Sequence, residues 1–265
     1  MRFYIACIIF CLTSICSSFG QAYKYIGVTE GLSDRRVLSI QKDNRGFMWF
    51  LTYTGIDRYD GKKFKHYRLQ SEQGYISLFS EKNILKTDSR GNIWAIGEQG
   101  ELFMYDQLTD NFIQKQLPQE ITTQHVERIE MTNFDEVWYC YPEHCYTYNL
   151  HSGKIQQIKT DHKHRHITCI YQYNENTYFI GSEDGICRAI IHQGKMMATE
   201  CIIPSNDCKL PQLIYIHPAT GRLMAYSDKN GMIVYDLTLK MLEAQYPRLR
   251  DFPSPDSLPT KTDTY

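Results

Sequence analysis

Pairs of polar or aromatic side chains stand before five positions of the sequence that recur at nearly constant spacing. The positions are residues 55, 100, 144, 185 and 231, which are 45, 44, 41 and 46 residues apart. The pairs that precede them are Tyr53-Thr54, Glu98-Gln99, Pro142-Glu143, Glu183-Asp184 and Lys229-Asn230. Carboxylates, amides and ammonium groups can hydrogen-bond to hydroxyl groups, and a tyrosine ring can pack on an apolar surface. The set therefore has the chemistry of a binding site for a polar ligand such as a sugar.

A binding site of this kind requires that the recurring positions lie on one face of the fold. Arg35 and Arg36, ahead of the first strand of the first repeat, would reach the same face. Tight turns are also polar for backbone reasons, so the hypothesis depends on the whole set and not on any single residue. The predicted ligand-binding residues are Arg35, Arg36, Tyr53, Glu98, Gln99, Glu143, Glu183, Asp184 and Lys229.

An internal repeat of short strands must position these residues. Its first two copies, residues 37–61 and 84–106, place an Asp-x-x-Gly turn before Trp49 or Trp94 and close on a Tyr-Asp pair. Weaker copies carry Trp138, Phe179 and Ala225 at the tryptophan position. Packing and turn chemistry explain these repeated residues, so we interpret them as scaffold and not as a site.

The period and the strand signals predict an all-β fold. A repeat of about 40 to 45 residues with several strands per unit is typical of a β-propeller blade of four antiparallel strands. In the first blade we expect strands near residues 36–42, 47–51, 55–59 and 63–67. We predict a β-propeller of about five four-stranded blades, near residues 32–70, 78–117, 122–159, 165–203 and 211–246.

The two ends of the chain suggest export and an unfinished ring. Arg2, the apolar run of residues 3–15 and the small residues near position 20 predict a signal peptide over residues 1–22, hence a periplasmic protein. No later segment is long and apolar enough for a membrane span. Residues 23–26 read as an extra strand that would close an incomplete seven-bladed ring, and the proline-rich tail, residues 247–265, reads as disordered.

Charge and cysteine content limit the partners and cofactors that this protein is expected to have. The formal charge of -1 and pI of 6.7 argue against nucleic acid as a partner. Of the six cysteines after residue 22, Cys201 and Cys208 flank a turn-forming stretch and are the best disulfide candidate, with Cys140 and Cys145 second; the alternative is that most are buried apolar residues. Cys-x-x-Cys pairs are lacking, so we expect no zinc and no cofactor.

Three alternating histidines raise a metal site as an alternative. His162, His164 and His166 would lie on one side of an extended segment. The interleaved Lys163 and Arg165 oppose cation binding, so a solvated basic loop is the favoured interpretation.

The motif of the first repeat resembles a known family. Val37, Ile40, Asp43, Gly46 and Trp49, followed by residues 55–60, resemble the two-component regulator propeller repeat. Residues 31–33 are also similar to the start of the periplasmic sensor regions in hybrid two-component systems of Bacteroidetes-type gut bacteria. The resemblance implies an extracytoplasmic sensor that detects an oligosaccharide from a dietary or host polysaccharide and controls genes for its uptake and breakdown.

Such sensors continue beyond the region seen here. Family members carry more blades, a membrane helix and a histidine kinase, so this chain is expected to be the first part of a truncated sensor. The resemblance also suggests a homodimer for the full-length sensor. Two alternatives stay open. One is a stand-alone secreted propeller that binds a protein. The other is a glycoside-active enzyme that uses Glu98, Glu143 and Glu183 as acid and base. Because no motif other than the carboxylates on turns indicates catalysis, we expect no enzymatic activity.

Overall fold

The computed structural model describes eleven segments of the chain. They are residues 24–71, 74–78, 84–97, 99–121, 126–159, 167–182, 185–192, 194–202, 213–217, 220–227 and 231–246. Within these segments the regular elements are strands, apart from one 3-10 helical turn at Val28–Glu30. The predicted signal peptide and the predicted polar tail lie outside the described residues.

The strands form four-stranded antiparallel units in chain order. Sheet 1 contains β1 (Val37–Lys42), β2 (Met48–Thr52), β3 (Ile56–Tyr59) and β4 (Phe64–Tyr67). A hairpin of β5 (Gln70–Ser71) and β6 (Gly74–Tyr75) follows. Sheet 2 contains β7 (Ile84–Thr87), β8 (Ile93–Ile96), β9 (Leu102–Asp106) and β10 (Asn111–Lys115). Sheet 3 contains β11 (Arg128–Met131), β12 (Glu136–Cys140), β13 (His144–Asn149) and β14 (Ile155–Lys159).

Two further units complete the described part. Sheet 4 contains β15 (Cys169–Gln172), β16 (Thr177–Ser182), β17 (Gly185–His192) and β18 (Lys195–Ile202). Sheet 5 contains β19 (Leu213–Ile216), β20 (Leu223–Ser227), β21 (Gly231–Tyr235) and β22 (Met241–Tyr246). The all-β propeller fold is confirmed, and the strands of sheet 1 agree with the predicted ranges to within one residue. The number of blades in a complete ring stays a prediction.

Large apolar side chains fill the space between consecutive sheets. The residues at the repeated tryptophan position, Trp49, Trp94, Trp138 and Phe179, are all 3% exposed or less. Trp49 packs in one cluster with residues of sheet 2, and Trp94 packs in another with residues of sheet 3. Their burial supports the interpretation that the repeated rings are scaffold.

The Asp-x-x-Gly turn is tied to the tryptophan that follows it. In sheet 1, the Asp43 carboxylate accepts hydrogen bonds from the backbone N–H groups of Arg45 and Phe47 at 3.0 and 2.9 Å, and from the Trp49 indole at 2.9 Å. In sheet 2, Asp88 accepts the Trp94 indole N–H at 2.8 Å. One buried carboxylate therefore fixes both the turn and the orientation of the core ring.

The outer strands of sheets 3 and 4 are joined. β14 and β18 pair in parallel at Lys159 and Lys195, so the two units form one eight-stranded sheet. A disulfide between Cys187 and Cys201 links the paired strands β17 and β18.

The expected Cys201–Cys208 disulfide is wrong, because Cys201 is bonded to Cys187, the residue opposite it in the strand register. Cys140 and Cys145, the second candidate pair, also face each other across β12 and β13, yet both are free and buried. Burial raises the pKa of Cys140, and a hydrogen bond with Cys145 acts in the same direction.

Residues 24–26, expected to extend a strand, are irregular. The backbone instead turns at once, since Gly27 N–H donates to the Glu30 carboxylate at 2.7 Å and Gly31 closes the turn at φ 108°.

None of the helices in the described segments has the length and apolar character that crossing a bilayer would require.

Candidate ligand-binding face

The turns between second and third strands lie at one end of their sheets, together with the connections from one sheet to the next. This placement follows from the antiparallel order, since β1 runs toward the Asp-x-x-Gly turn and β2 returns to the opposite end. Tyr53, Gln99 and Glu143 are on these turns in sheets 1, 2 and 3. The predicted residues that the structure describes therefore share one end of the fold.

Arg36 and Tyr53 are in direct contact on this face. The Arg36 guanidinium lies 4.1 Å from the centre of the Tyr53 ring, within the range of a cation–π interaction. Asp34 holds Arg36 from the other side, because its carboxylate accepts the Arg36 backbone N–H at 2.8 Å. This hydrogen bond and the charges of Arg36 and Arg35 lower the pKa of Asp34. Arg35 and Arg36 are both exposed, which leaves the face cationic beside sheet 1.

A buried polar network supports this corner. The Ser33 backbone N–H donates to Asp57 at 2.7 Å, and Asp57 is fully buried against the His66 ring nitrogen at 2.7 Å. The hydroxyl groups of Ser33 and Thr52 lie 2.9 Å apart, and Thr54 donates to Ser33 at 3.1 Å. The segment before β1 is thus anchored on sheet 1, and Arg36 is presented from a fixed backbone.

A cavity of about 230 Å³ opens beside sheet 2 on the same face. One wall is the β5–β6 hairpin with the residues after it, and the other wall is the β8–β9 turn. Its lining comprises Ser71, Gly74, Tyr75, Ile76, Ser77, Gln99 and Glu101. The Tyr75 side chain is 70% exposed, so its ring is available to a ligand. Hydroxyl, amide and carboxylate groups beside an open aromatic ring match the needs of a sugar.

Two glycines shape the cavity wall. A Cβ at Gly97 would lie 2.5 Å from the Glu101 carboxylate, which can move aside, and 3.0 Å from the Ile76 side chain, so the turn packs closely on the segment after the hairpin. Gly100 adopts φ +99°, and a Cβ there would lie 3.1 Å from the Tyr139 ring of sheet 3. The backbone N–H of Gln99 donates to Glu101 at 3.2 Å, which directs that carboxylate toward the turn.

The turn of sheet 3 adds a second aromatic surface. Tyr141 stacks on His144 with ring centres 5.0 Å apart and planes 17° apart, and Tyr146 meets both rings edge-on. Glu143 is exposed beside them. Glu98, Glu183, Asp184 and Lys229 lie outside the described residues, so their predicted roles stay predictions.

Sequence reasoning missed the hairpin and most of the cavity lining. Ser71, Tyr75, Ser77 and Glu101 do not stand at the recurring positions, because the hairpin is an insertion between blades and not part of the repeat. One signal was available. Residues 68–83 form the longest of the connections between the described sheets, and long connections on a rigid scaffold often carry binding residues.

In the described part of the chain, His, Cys, Asp and Glu side chains form no group of three that could hold a metal ion. The candidate ligands His162, His164 and His166 lie outside the described residues.

Residues 31–54 match the model of a protein family described as "Two component regulator propeller". This match confirms the resemblance drawn from Asp43, Gly46 and Trp49, which lie within it. None of the curated proteins compared with the chain matches it.

Solved structures of similar fold include the extracellular domains of two B. thetaiotaomicron proteins described as hybrid two component systems. BT4673 gives a TM-score of 0.60 at 17% identity, over 82% of this chain and 29% of that domain. BT3049 gives 0.51 at 19% identity, over 85% and 37%. The chain thus spans less than two fifths of either domain. A catalytically inactive virginiamycin B lyase from Staphylococcus aureus, solved with quinupristin, gives 0.61 at 16% identity, over 86% and 75%.

Proposed function

We propose that this chain, which carries a two component regulator propeller repeat, is part of the extracytoplasmic ligand-sensing propeller of a hybrid two-component system and binds an oligosaccharide. The observation that carries the proposal is the cavity between the β5–β6 hairpin and the β8–β9 turn, which lies on the face predicted from the repeat. The chain spans less than a third of the BT4673 domain. Signalling through a membrane helix and a kinase would need parts of a longer protein and is included here as part of the proposal.

The surface chemistry of the face supports a saccharide ligand. Tyr75 offers an open ring for the apolar side of a sugar, while Ser71, Ser77, Gln99 and Glu101 offer donors and acceptors for its hydroxyl groups. The nearby Arg36–Tyr53 pair would extend the contact to a second sugar unit. The Cys187–Cys201 disulfide supports a location outside the cytoplasm, because disulfides persist in oxidising compartments.

A change of Tyr75 to Ala tests the site. Loss of the exposed ring removes its packing on the sugar, so we expect binding to weaken about tenfold or more, which corresponds to about 1.4 kcal/mol. Isothermal titration calorimetry of the full chain against a panel of dietary and host oligosaccharides provides the measurement. Tyr53→Ala is expected to weaken binding of longer sugars more than of short ones.

The matched control is Tyr25→Ala, because Tyr25 is similarly exposed, at 80%, and does not line the cavity. It is expected to bind as the unchanged chain does. If the Tyr75→Ala and Tyr53→Ala variants both bind a sugar as tightly as the unchanged chain does, this placement of the site is refuted. If no sugar in the panel binds, the oligosaccharide proposal itself fails.

The similarity in fold to a lyase makes catalysis the competing proposal. We infer that this cavity does not hydrolyse glycosidic bonds, since Glu101 is the one carboxylate among its described lining residues and that reaction uses two. Incubating the bound sugar with the chain and weighing the products by mass spectrometry separates the two proposals. An intact sugar fits a sensor, whereas shortened fragments would show an enzyme.

A further inference from the structure

A second cavity, of about 160 Å³, lies between sheets 3 and 4 at the end opposite the candidate ligand-binding face. Its position follows from two lining residues, since Glu136 begins β12 after the β11–β12 turn and Glu175 lies in the β15–β16 turn. The polar lining includes Glu136, Thr147, Gln156, Glu175, Tyr178 and His192. The cavity is therefore a polar site that the repeat motif did not predict.

The same place between sheets 1 and 2 is filled by the chain itself. In sheet 1, Trp49 pairs with Arg58, and Arg58 pairs with Lys65. The Arg58 guanidinium donates to the Asp110 carboxylate of sheet 2 at 3.0 Å. It also lies 4.9 Å from the centre of the Phe47 ring. A partly buried guanidinium thus occupies this interface beside aromatic rings and a carboxylate.

The strand register identifies the equivalent residues of sheet 3. Trp138 pairs with Thr147, and Thr147 pairs with Gln156, so Thr147 stands where sheet 1 has Arg58 and Gln156 where it has Lys65. Both residues line the cavity. Neutral side chains, Thr147 and Gln156, therefore stand in place of two cations. The space that the Arg58 guanidinium fills between sheets 1 and 2 is open between sheets 3 and 4.

The partner positions have changed in a complementary way. Glu136 stands two residues before Trp138, as Phe47 stands two residues before Trp49. The side chain that faces the guanidinium in sheet 1 is therefore a carboxyl group in sheet 3. In sheet 2, Trp94 pairs with Met104, and Tyr105 follows Met104. In sheet 4, Phe179 pairs with Arg188, and Ala189 follows Arg188, so Ala189 is the counterpart of Tyr105. The smaller side chain enlarges the space.

Two buried polar atoms at this end make no hydrogen bond of normal geometry in the described structure, although the Trp138 indole lies close enough to the Glu136 carboxylate to oppose the rise in its pKa. The Trp138 indole nitrogen, in a fully buried residue, makes no hydrogen bond by distance and angle, and neither does the Gln172 side-chain oxygen. The repeat explains the first of these, because Thr132 stands six residues before Trp138 where sheets 1 and 2 have Asp43 and Asp88.

The charges at the cavity favour a cation. Burial raises the pKa of Glu136, against the opposing influences of Tyr178, Trp138 and the exposed Lys154. Glu175 adds a second carboxyl group, and His192 is the one basic side chain among the described lining residues. A cation beside Glu136 would compensate the partly buried carboxylate, and the Tyr178 hydroxyl, 3.3 Å from that carboxylate, supplies a further polar contact.

We propose that this cavity binds the guanidinium group of a small ligand, which pairs with Glu136 and takes the place that the Arg58 side chain occupies between sheets 1 and 2. A planar guanidinium suits the site because it can bond a carboxylate with two N–H groups and pack against aromatic rings.

Methylguanidinium chloride is the probe. Titrated into the full chain at constant ionic strength, it should bind with saturation, read by calorimetry and by a change in the tryptophan fluorescence of the chain, to which Trp49, Trp94 and Trp138 all contribute. Glu136→Gln should weaken binding about tenfold or more, because it removes the negative charge and keeps the shape. Thr147→Arg should abolish binding and raise the melting temperature, because it supplies the guanidinium within the chain. Glu120→Gln, an exposed carboxylate outside the cavity, should bind as the unchanged chain does.

Three outcomes would overturn the proposal. The first is no saturable binding to the unchanged chain, which would mean that the cavity holds water only. The second is equal binding by the Glu136→Gln variant. The third is binding by a folded Thr147→Arg variant, with near-ultraviolet circular dichroism as the test of folding. If Thr147→Arg does not fold, the isosteric Glu136→Gln variant decides alone.

Discussion

At the residue scale, the carboxylate of the repeated turn has two tasks that depend on its burial. Asp43 is 7% exposed and Asp88 is 6% exposed, and each accepts hydrogen bonds from the turn backbone and from the indole of the following tryptophan. Burial opposes ionisation of Asp88, but hydrogen bonds from Trp94 and Asn92 outweigh it and lower the pKa. The repeated Asp is therefore a structural residue, and its loss should be costly.

Replacement of Asp43 by Ala is expected to lower the free energy of unfolding by about 3 kcal/mol, because it leaves several donors without an acceptor, the Trp49 indole among them in the core. Chemical denaturation of the two proteins measures the difference. The matched control is Asp60→Ala, since Asp60 also accepts two turn N–H groups, at 2.7 Å each, but is exposed. Its loss should lower the free energy of unfolding much less, because solvent can replace the lost acceptor, and an equal effect at both positions would contradict the importance of burial.

At the scale of the elements, one carboxylate collects several polar contacts at the apolar interface between sheets 1 and 2. Asp110, ahead of β10, accepts hydrogen bonds from the Tyr105 and Tyr67 hydroxyl groups at 2.6 and 2.8 Å, from Arg58 at 3.0 Å and from Lys65. Burial alone would raise the pKa of Asp110, but these hydrogen bonds and the charge of Arg58 hold it well below its usual range. The interface is thus stronger when Asp110 is ionised.

The stability of this interface should depend on pH in acid. Because the pKa of Asp110 is lower in the folded than in the unfolded chain, its contribution is complete above about pH 4 and is lost as the pH falls further. Because the Asp110 side chain is 40% exposed and solvent screens its ion pairs, Asp110→Asn should lower the free energy of unfolding by only about 1 kcal/mol at pH 7. It should also flatten the fall in stability between about pH 4 and pH 2. Denaturation at several pH values tests this, and an unchanged acid slope would argue against the role of Asp110.

At the scale of the whole molecule, neighbouring sheets are joined by polar contacts and by one strand pairing, in addition to the apolar clusters between them. Sheets 2 and 3 meet where Asp135 accepts the Ser89 backbone N–H at 2.8 Å and contacts the His151 ring nitrogen at 2.9 Å. Sheets 3 and 4 are joined through β14 and β18. The Cys187–Cys201 disulfide fixes β18 to β17 and so supports that junction. Reduction should therefore weaken the outer edge of two blades together.

Reduction of the Cys187–Cys201 disulfide is expected to lower the free energy of unfolding by about 3 kcal/mol, the value for a loop of this length. Thermal unfolding with and without reductant measures the change. A Cys187→Ala, Cys201→Ala double variant serves as the control, because it should lose a similar amount and no longer respond to reductant. A reductant effect that persists in the double variant would point to other cysteines.

The sequence by itself determined the elements of this protein. Asp43, Gly46 and Trp49 predict a turn, a strand and a core ring because these preferences are local, and their recurrence predicts the propeller and the end at which Tyr53, Gln99 and Glu143 lie. Arg36 and Tyr53 were chosen for one face, and the structure brings them into contact.

Only the tertiary structure decided what lies opposite what. The partner of Cys201 depends on the register of β17 and β18, which includes an irregularity after Arg188. The Tyr75 cavity depends on how an inserted hairpin packs against a turn, and the Glu136 cavity on side chains missing from one interface and present in another. Contacts between distant residues arise from packing and strand register, which local preference does not encode.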